Sequence, residues 1–231
     1  MSTTGAPTGA RLIGRGRCAD VYDIGGGRVL RRFRDAAMDA SYEGAFMRHV
    51  HDAGVPVPEV YDVSGTDIVM QRLYGPTMLA DLGRRPWRLR RHARTLAELH
   101  NAVHAVAPAA WMRPVGDGEG GVLHLDLHPD NVILTPDGPM IIDWQNSARG
   151  PAQADPAVAW VVINMAVVPG PPMQRLVGTI GQHLFARLFL DACEPRPTDE
   201  HIAIAMQARL SDATLLPRER ERILKRLEQV A

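Results

Sequence analysis

One polar segment, bracketed by apolar runs, constrains the fold of this 231-residue chain more than any other feature. It extends from Leu123 to Gln145 and reads LHLDLHPDNVILTPDGPMIIDWQ. His124, Asp126 and Asn131 come first, and two apolar runs around a short turn follow, the second ending at Asp143. Short apolar runs joined by an Asp-Gly turn predict a β-hairpin. The fold must therefore place a polar loop before this hairpin and a carboxylate after it.

These residue types, in this order, suit the phosphorylation of a hydroxyl group. Asp126 would orient the attacking hydroxyl and accept its proton, while Asn131 and Asp143 would hold the Mg²⁺ that neutralises the phosphates. The order H-x-D-x-x-x-x-N, then a hairpin and Asp, is that of kinase catalytic and metal-binding loops. Alone, Asp126 would be read as a turn residue before Pro129, and Asp143 as a cap at a strand end. Their combined spacing favours catalysis.

Three further residues are predicted to support this loop. His124 is expected to brace the loop backbone or the metal-binding turn, with a satisfied core histidine as the alternative. His128 follows Asp126 by two residues, and would either touch phosphate or substrate or be an ordinary part of the loop. Asp155 precedes Pro156 at the start of a predicted helix. It is a helix N-cap, a buried carboxylate that hydrogen-bonds the loop backbone, or both.

The N-terminal glycine segment predicts a place for nucleotide phosphates. It reads GRGRCADVY from Gly14 to Tyr22, and the backbone N–H groups around Gly14 and Gly16 could fold over phosphates. A hairpin turn also needs glycine, so this pattern alone is weak; together with the later loop it favours phosphate binding. Val21 would then lie on the adenine face.

The next strand is expected to supply a cation for the α- and β-phosphates. The candidates in VLRRF are Arg31 and Arg32, and strand alternation puts them on opposite faces. Val29 and Arg31 share a face, so Arg31 is preferred. Glu43, on the following predicted helix, is the expected ion-pair partner of this cation; a solvated helix face is the alternative.

The remaining pattern predicts a β-rich part followed by a helical part. Gly75-Pro76 marks the boundary, with residues 1–10 disordered, 11–74 forming a nucleotide-binding lobe and 75–231 carrying the catalytic loop, the metal site and the substrate-binding helices. We predict three antiparallel strands in 11–33, a helix over 39–53, strands over 57–63 and 67–73, a helical stretch over 78–106 broken near Arg85-Pro86, and helices from Asp155 to the end.

Composition excludes several other classes of protein. The formal net charge is +0, so bulk attraction to nucleic acid or to an anionic membrane is not expected. Cys18 and Cys193 lack the spacing of a zinc site or a disulfide framework. The N-terminus does not read as a signal peptide, and the apolar stretch 157–168 is too short to span a bilayer. We therefore expect a cytoplasmic protein with no nucleic-acid or membrane partner. The arginine-rich stretch 84–94 favours a solvated helix face over RNA binding.

The chain resembles the aminoglycoside phosphotransferase and choline kinase-like family. The resemblance is strongest in HLDLHPDN (124–131), IIDW (141–144) and GPAQADPA (150–157), and extends to GVPVPEV (54–60) and VMQRLYGPTM (69–78). It implies an α+β, two-lobed protein-kinase-like fold, with a small antiparallel β lobe and a larger, mainly helical lobe.

The same resemblance implies roles for individual residues. Asp126 would be the catalytic base, Asn131 and Asp143 the Mg²⁺ ligands, and the segment with Met70, Gln71 and Leu73 the hinge that holds adenine by backbone groups. One departure is Arg31, because protein kinases have Lys at this position and Arg presents its donors as a fork. The absence of an A-P-E segment argues against a protein substrate.

The expected function is ATP-dependent, Mg²⁺-assisted transfer of the γ-phosphate to a hydroxyl of a small molecule, either antibiotic-like or a metabolite. The sequence after Gly150 shows no concentration of acidic residues that would bind a polycation. The expected acceptor is therefore a small hydroxylated metabolite or a less cationic natural product. A nucleotide-binding pseudokinase or regulatory protein without turnover is the main alternative, and a protein- or RNA-associated kinase is a third. The acceptor, the choice of ATP over GTP and the oligomeric state are left open.

Overall fold

The chain forms two compact units in the computed structural model, which describes residues 9–16, 18–212 and 215–228. The sheet unit comprises Met1–Gly75 and Ile133–Gln145, and the helical unit comprises Pro76–Val132 and Asn146–Ala231. The chain first changes unit after Gly75, where the sequence places the boundary. The hairpin residues 133–145, which the sequence assigned to the larger part, group with the sheet unit. The predicted disorder of residues 1–10 falls almost wholly outside the described residues.

A five-stranded antiparallel sheet and one helix, α1 (Ser41–Asp52), build most of the sheet unit. The strand order is β1-β2-β3-β5-β4. The strands are β1 (Arg11–Arg15), β2 (Ala19–Gly25), β3 (Arg28–Phe33), β4 (Val60–Ser64) and β5 (Asp67–Gln71). The predicted triple-glycine connection joins β2 to β3, with φ of 80°, 60° and 70° at its three glycines. Only glycine adopts three such angles in a row without strain.

The strands and α1 match the predicted regions except at one strand end and one strand start. The strand predicted over 67–73 ends at Gln71. The strand predicted over 57–63 begins only at Val60. Pro56 and Pro58 precede it, and proline has no N–H to donate to a neighbouring strand. Val57 is nevertheless buried, at 2% exposure, so this extended segment still contributes to the core. Phe46, with 0% exposure, is buried from the helix side of the same core.

The helical unit is built from six helices and one small sheet in the described residues. The helices are α2 (Met78–Arg84), α3 (Leu89–His104), α4 (Ala154–Met165), α5 (Pro172–Ala192), α6 (Asp199–Leu210) and α7 (Pro217–Leu227). A 3₁₀ turn at Pro86–Arg88 separates α2 from α3, as the predicted break near Arg85-Pro86 requires. Within the described ranges, no helix is both long and apolar enough to cross a membrane.

Two short strand pairings frame the polar segment. In the helical unit, β6 (Gly121–Leu123) pairs antiparallel with β9 (Ala148–Gly150). The predicted hairpin is β7 (Val132–Thr135) with β8 (Gly138–Ile141), and a 3₁₀ turn at Pro129–Asn131 leads into it. The polar loop thus runs from the end of β6 to the start of β7.

Candidate active site

In the helical unit, Asn131 holds Asp126 through its side-chain amide. The Asn131 Nδ2 group donates to the backbone carbonyl of Asp126 at 2.8 Å and lies 3.3 Å from its carboxylate Oδ2. The amide nitrogen therefore faces Asp126, and the amide oxygen of Asn131 lies outside these bonds. Oxygen is the ligand that Mg²⁺ prefers. This orientation fits the metal-ligand role predicted for Asn131.

His128 lies beside the carboxylate of Asp126. Its Nε2 is 3.6 Å from Asp126 Oδ1, and its Nδ1 accepts the backbone N–H of Asp130 at 3.3 Å. Asp130 in turn accepts a hydrogen bond from the hydroxyl of Thr77 at 2.9 Å, and the same hydroxyl caps α2 by accepting the N–H of Ala80. The loop is thereby fastened to the start of α2, with His128 as part of it.

His124 and Asp155 hold the backbone of the same loop. His124 is fully buried, and its Nδ1 accepts the backbone N–H of Asp126 at 3.2 Å. Asp155 Oδ2 accepts the N–H of His124, and Oδ1 accepts that of Leu125, both at 2.8 Å. Asp155 therefore makes the backbone contacts expected from the sequence. The N-cap alternative is wrong, because α4 starts earlier and Gln153 is its N-cap residue.

Two histidines of α3 also face Asp155. His104 Nε2 lies 3.2 Å and His100 Nδ1 3.6 Å from Asp155 Oδ2. Full burial of Asp155 opposes its ionisation, but the charge of His100 and the charge and hydrogen bond of His104 outweigh it and hold the pKa of the carboxyl well below its usual range. Asp155 is therefore a buried anion with a cluster of donors around it.

In the sheet unit, Arg31 joins two carboxylates. Its Nη1 donates to Glu43 Oε2 at 2.5 Å, and its Nη2 donates to Asp143 Oδ1 at 3.0 Å. Arg32 points elsewhere and pairs with Asp67 at 2.6 Å. Strand alternation thus separates the two arginines as expected, and Glu43 is the ion-pair partner of Arg31.

The Glu43 carboxyl is buried, with 3% of its side chain exposed. Burial raises the pKa of Glu43 to about 7, although the charge of Arg31 works in the opposite direction. The negative charge of Asp143 adds to the increase. Burial therefore shifts Glu43 towards its neutral form in spite of its ion pair.

Asp143 lies two residues after the end of β8, in a left-handed backbone conformation with φ 67°. The next residue, Trp144, is fully buried, and its ring centroid lies 5.9 Å from that of Phe46 on α1. Asp143 therefore has a sparsely populated backbone conformation directly before a buried, packed residue. The Asp143 side chain is 44% exposed, so its carboxylate is accessible to a cation as well as to Arg31.

The predicted phosphate and adenine residues form a row across the sheet. Gly14 lies opposite Val21, and Val21 lies opposite Arg31. Directly opposed residues of antiparallel strands share a face, so Val21 and Arg31 lie side by side on one face of the sheet. Gly16 closes the β1–β2 turn by donating its N–H to Ala19 at 2.8 Å. The structure therefore brings Gly14, Val21 and Arg31 together, and their nucleotide roles stay a prediction.

The predicted hinge overlaps the end of β5. Met70 lies inside the sheet, opposite Val29 on one side and Val60 on the other. The backbone N–H of Gln71 donates to Glu59 at 2.8 Å. Leu73 follows the end of β5, which makes it the member of this set whose backbone lies beyond the strand.

The arginine-rich stretch is partly neutralised within the helical unit. Asp81, nearly fully buried, accepts from Arg85 at 2.6 Å and Arg88 at 3.3 Å and contacts His92 Nε2 at 2.8 Å. Hydrogen bonds from His92 and Arg85 lower the pKa of Asp81 to about 2. Two arginines of this stretch thus act in local ion pairs.

Comparison with known sequences identifies the family. The profile of the Phosphotransferase enzyme family matches residues 9–118 and, in an overlapping second match, residues 84–193. The chain belongs to this family. A search of the curated proteins gave no match to the sequence.

Solved structures similar to this phosphotransferase-family chain share its fold at low identity. A choline/ethanolamine kinase family protein from Mesorhizobium loti is 14% identical with a TM-score of 0.58, over 98% of this chain and 88% of its own. An ADP-bound aminoglycoside phosphotransferase is 10% identical with a TM-score of 0.64, over 95% and 92%. An ethanolamine kinase from Plasmodium vivax is 9% identical with a TM-score of 0.57, over 94% and 81%. The predicted α+β, protein-kinase-like fold is confirmed.

Sequence reasoning missed the two α3 histidines beside Asp155. His100 and His104 are four residues apart, so they lie on one face of a helix, and a buried stripe on α3 includes His92 and Leu96 as well. This i, i+4 spacing was visible in the sequence. What it could not show was the partner, because Asp155 is more than fifty residues further along the chain.

Proposed function

We propose that this phosphotransferase moves the γ-phosphoryl group of ATP to a hydroxyl of a small molecule, with Mg²⁺ as the metal. Asp126 would accept the proton of the acceptor hydroxyl while that oxygen bonds to the γ-phosphorus and the bond to the β-phosphate oxygen breaks, leaving ADP. The observation that carries this proposal is the contact between Asn131 and Asp126. The amide nitrogen of Asn131 holds Asp126 in place, and the amide oxygen of Asn131 lies outside these hydrogen bonds.

Each unit contributes groups suited to this reaction. In the helical unit, Asp126 and Asn131 supply the base and one oxygen ligand for Mg²⁺. In the sheet unit, Asp143 supplies a second oxygen ligand, and Arg31 supplies a cation held by Glu43 for the phosphates. A bound Mg²⁺ would neutralise phosphate charge during transfer. Asn131 and Asp143 would both bind Mg²⁺ through oxygen atoms, the ligand type that this ion prefers.

The acceptor class is narrowed by what similar proteins bind. The similar structures include complexes of aminoglycoside phosphotransferases with ATP and streptomycin, or with gentamicin, and choline or ethanolamine kinases. All these acceptors are small molecules, which supports an alcohol of that size for this chain. We favour a hydroxylated metabolite or a weakly cationic natural product. A cytoplasmic location, where ATP is available, stays a prediction.

The test combines nucleotide binding with acceptor phosphorylation. Wild type, Asp126→Asn and Asp130→Asn are each incubated with Mg·ATP and a panel of amino alcohols, sugars and antibiotics, and phosphorylated products are detected by mass spectrometry. We expect Asp126→Asn to lose about 10²–10⁴-fold in transfer rate, the usual contribution of a general base. The neighbouring Asp130→Asn keeps the carboxylate of Asp126 and should stay within about tenfold of wild type.

Thermal unfolding with Mg·ATP separates catalysis from binding. Saturation at about a hundred times Kd stabilises a protein by roughly 2.7 kcal/mol, and Asp126→Asn should show the same shift as wild type. A wild-type shift without any phosphorylated acceptor would support a nucleotide-binding protein without turnover. No shift and no product would overturn the proposal.

A further inference from the structure

His100, His104 and Asp155 form a compact buried cluster within the helical unit. The two histidines lie four residues apart on α3, and Asp155 lies in the first turn of α4. One donor atom of each side chain lies within 4.8 Å of the donor atoms of the other two. The side chains of His100, His104 and Asp155 are 1%, 9% and 0% exposed. Water therefore does not solvate the charge of this carboxylate.

The hydrogen bonds of His100 leave no proton between its Nδ1 and the carboxylate of Asp155 when the ring is neutral. His100 Nε2 lies 3.1 Å from the carbonyl oxygen of Leu127, which can only accept, so Nε2 carries the hydrogen. In a neutral ring Nδ1 then has a lone pair, and it lies 3.6 Å from the Asp155 carboxylate. Nδ1 makes no hydrogen bond within the described residues. Two buried acceptors face each other, so a positive charge is needed between them: a proton or a metal ion.

The separations match those between the ligands of one small metal ion. Zinc bonds to nitrogen and oxygen of about 2.0–2.1 Å place neighbouring ligand atoms of a tetrahedral ion roughly 3.3 Å apart. Asp155 Oδ2 lies 3.2 Å from His104 Nε2 and 3.6 Å from His100 Nδ1. Both distances from Asp155 therefore suit one shared ion, and the donor atoms of the two histidines lie within 4.8 Å of each other.

His100 has the surroundings that metal-bound histidines usually have. Its second ring nitrogen donates to the Leu127 carbonyl, which fixes the tautomer and raises the basicity of Nδ1. Its ring also packs against Phe189 of α5, with centroids 5.2 Å apart, so its plane is held. Nδ1 is therefore already aimed at Asp155.

We propose that His100, His104 and Asp155 form a Zn²⁺ site that ties α3 to α4 and, through Asp155, to the backbone of the catalytic loop. Two imidazoles and one carboxylate are a donor set for a zinc-type ion, whereas Mg²⁺ prefers oxygen alone. The site is distinct from the predicted Mg²⁺ ligands Asn131 and Asp143. The ion would position the loop and takes no part in phosphate transfer, so the inference goes beyond the proposed function.

Zinc content is the direct test. Full-length protein is stripped with a chelator, titrated with Zn²⁺ in excess Mg²⁺, which occupies oxygen-only sites, and washed before metal analysis. We expect about one Zn²⁺ per chain in wild type and in His51→Gln, an exposed control on α1. In His104→Gln the affinity for Zn²⁺ should fall by more than about 100-fold. Loss of a residue that only hydrogen-bonds a metal ligand already costs up to that amount, and here the ligand itself is lost.

Two further measurements keep the result independent of folding and activity. Co²⁺ in place of Zn²⁺ should give a visible absorption spectrum typical of nitrogen ligation in wild type, and His104→Gln should lose it. Circular dichroism shows whether the variant is folded; if it is not, the wild-type stoichiometry and Co²⁺ spectrum decide alone. If wild type retains no Zn²⁺, a proton on His100 supplies the positive charge beside Asp155. That result would overturn the proposal. Full Zn²⁺ content in folded His104→Gln would do the same.

Discussion

The backbone N–H of Leu125 donates to Asp155 Oδ1 at 2.8 Å, while Leu125 itself is held at φ 60°. A left-handed conformation costs a non-glycine residue about 1–2 kcal/mol. A hydrogen bond to a buried, charged acceptor is worth about 1.5–3 kcal/mol, enough to offset this cost. Asp155 therefore maintains a strained loop backbone immediately before Asp126, which is where strain is commonly found in functional sites.

The variant Asp155→Asn should lose stability by about 3 kcal/mol, because the asparagine amide group would meet a buried backbone N–H with another donor. Chemical denaturation measures this loss, with Asp52→Asn, 84% exposed, as the control. The pKa of Asp155 is depressed in the folded state, so its contribution is complete above the ordinary Asp value of 3.8 and disappears as the pH falls below it. Wild type should therefore lose more stability than the variant on acidification, and equal acid losses would contradict this assignment.

The loop contacts of Asp155 could be anticipated from the sequence, whereas the strain could not. An Asp before Pro at a helix start, following a polar loop, pointed to the correct hydrogen bonds. Among the described residues, the non-glycine positions with positive φ are Leu125 and Asp143. Asp adopts this conformation more readily than most residues, but the type of Leu125 gives no signal for it. Leu125 is hydrogen-bonded to Asp155, and Asp143 precedes Trp144, which packs against Phe46 of α1. Both contacts join residues far apart in the chain, and a local pattern carries no such information.

Glu43→Gln should change how stability depends on pH. The pKa of Glu43 is raised to about 7 in the folded state, so the stabilising contribution of its neutral carboxyl is complete below about pH 4.5 and is lost as the pH rises through 7. This loss amounts to roughly 3 kcal/mol. Gln is neutral throughout and can still accept from Arg31. Denaturation curves from pH 5 to 8 should show wild type falling relative to Glu43→Gln, and Glu98→Gln, exposed on α3, should follow wild type. Parallel curves for wild type and Glu43→Gln would refute the raised pKa.

Replacements of Arg31 should show that the two parallel donors of its guanidinium group contribute to stability as well as its charge. Arg31→Met leaves Glu43 buried without its partner and should cost about 3 kcal/mol of unfolding free energy. Arg31→Lys should recover only part of this, because an ammonium group cannot present two parallel donors to Glu43 and Asp143. The control is Arg32→Met on the next position, whose partly exposed pair with Asp67 should be worth about 1 kcal/mol or less. An equal loss from Arg31→Met and Arg32→Met would contradict the buried-pair argument.

The face of Arg31 was predictable because strand alternation is a local rule. Its second partner was not, since Asp143 is 112 positions away in sequence. The same reason applies to Asp81 and His92, whose contact joins two helices across the break at Arg85-Pro86. Patterns along the chain predict which side of a strand or helix is buried, and only the packed fold decides what each buried charge meets.

Asn131→Asp tests whether the amide nitrogen of Asn131 positions Asp126 while the amide oxygen is available to Mg²⁺. The substitution keeps an oxygen for Mg²⁺ but replaces the donor that faces Asp126 with a second carboxylate. Repulsion between the two should displace Asp126, so we expect phosphate transfer to fall by about 10–100-fold at saturating Mg²⁺. Asn101→Asp, on α3, adds the same charge outside the loop and should leave the rate unchanged. If Asn131→Asp transfers phosphate at the wild-type rate, the amide nitrogen has no positioning role.

Two helical glycines should respond to alanine in opposite directions. A Cβ on Gly44 of α1 would lie 2.4 Å from Cγ2 of Val63, whereas a Cβ on Gly83 of α2 would meet nothing within 4 Å. Alanine is favoured over glycine in a helix by about 0.8–1.0 kcal/mol, so Gly83→Ala should stabilise by up to that amount. Overpacking costs about 1–3 kcal/mol, which should make Gly44→Ala destabilising in spite of the same helix preference.

The double variant Gly44→Ala/Val63→Ala separates the steric cause from any other. Removing the Val63 methyl groups clears the position that the new Cβ needs, so the cost of Gly44→Ala should shrink or change sign in the Val63→Ala background. Thermal and chemical unfolding of the four proteins of this cycle give the coupling between the two positions. Additive effects of Gly44→Ala and Val63→Ala would show that close packing of α1 on β4 is not the reason for glycine at this position.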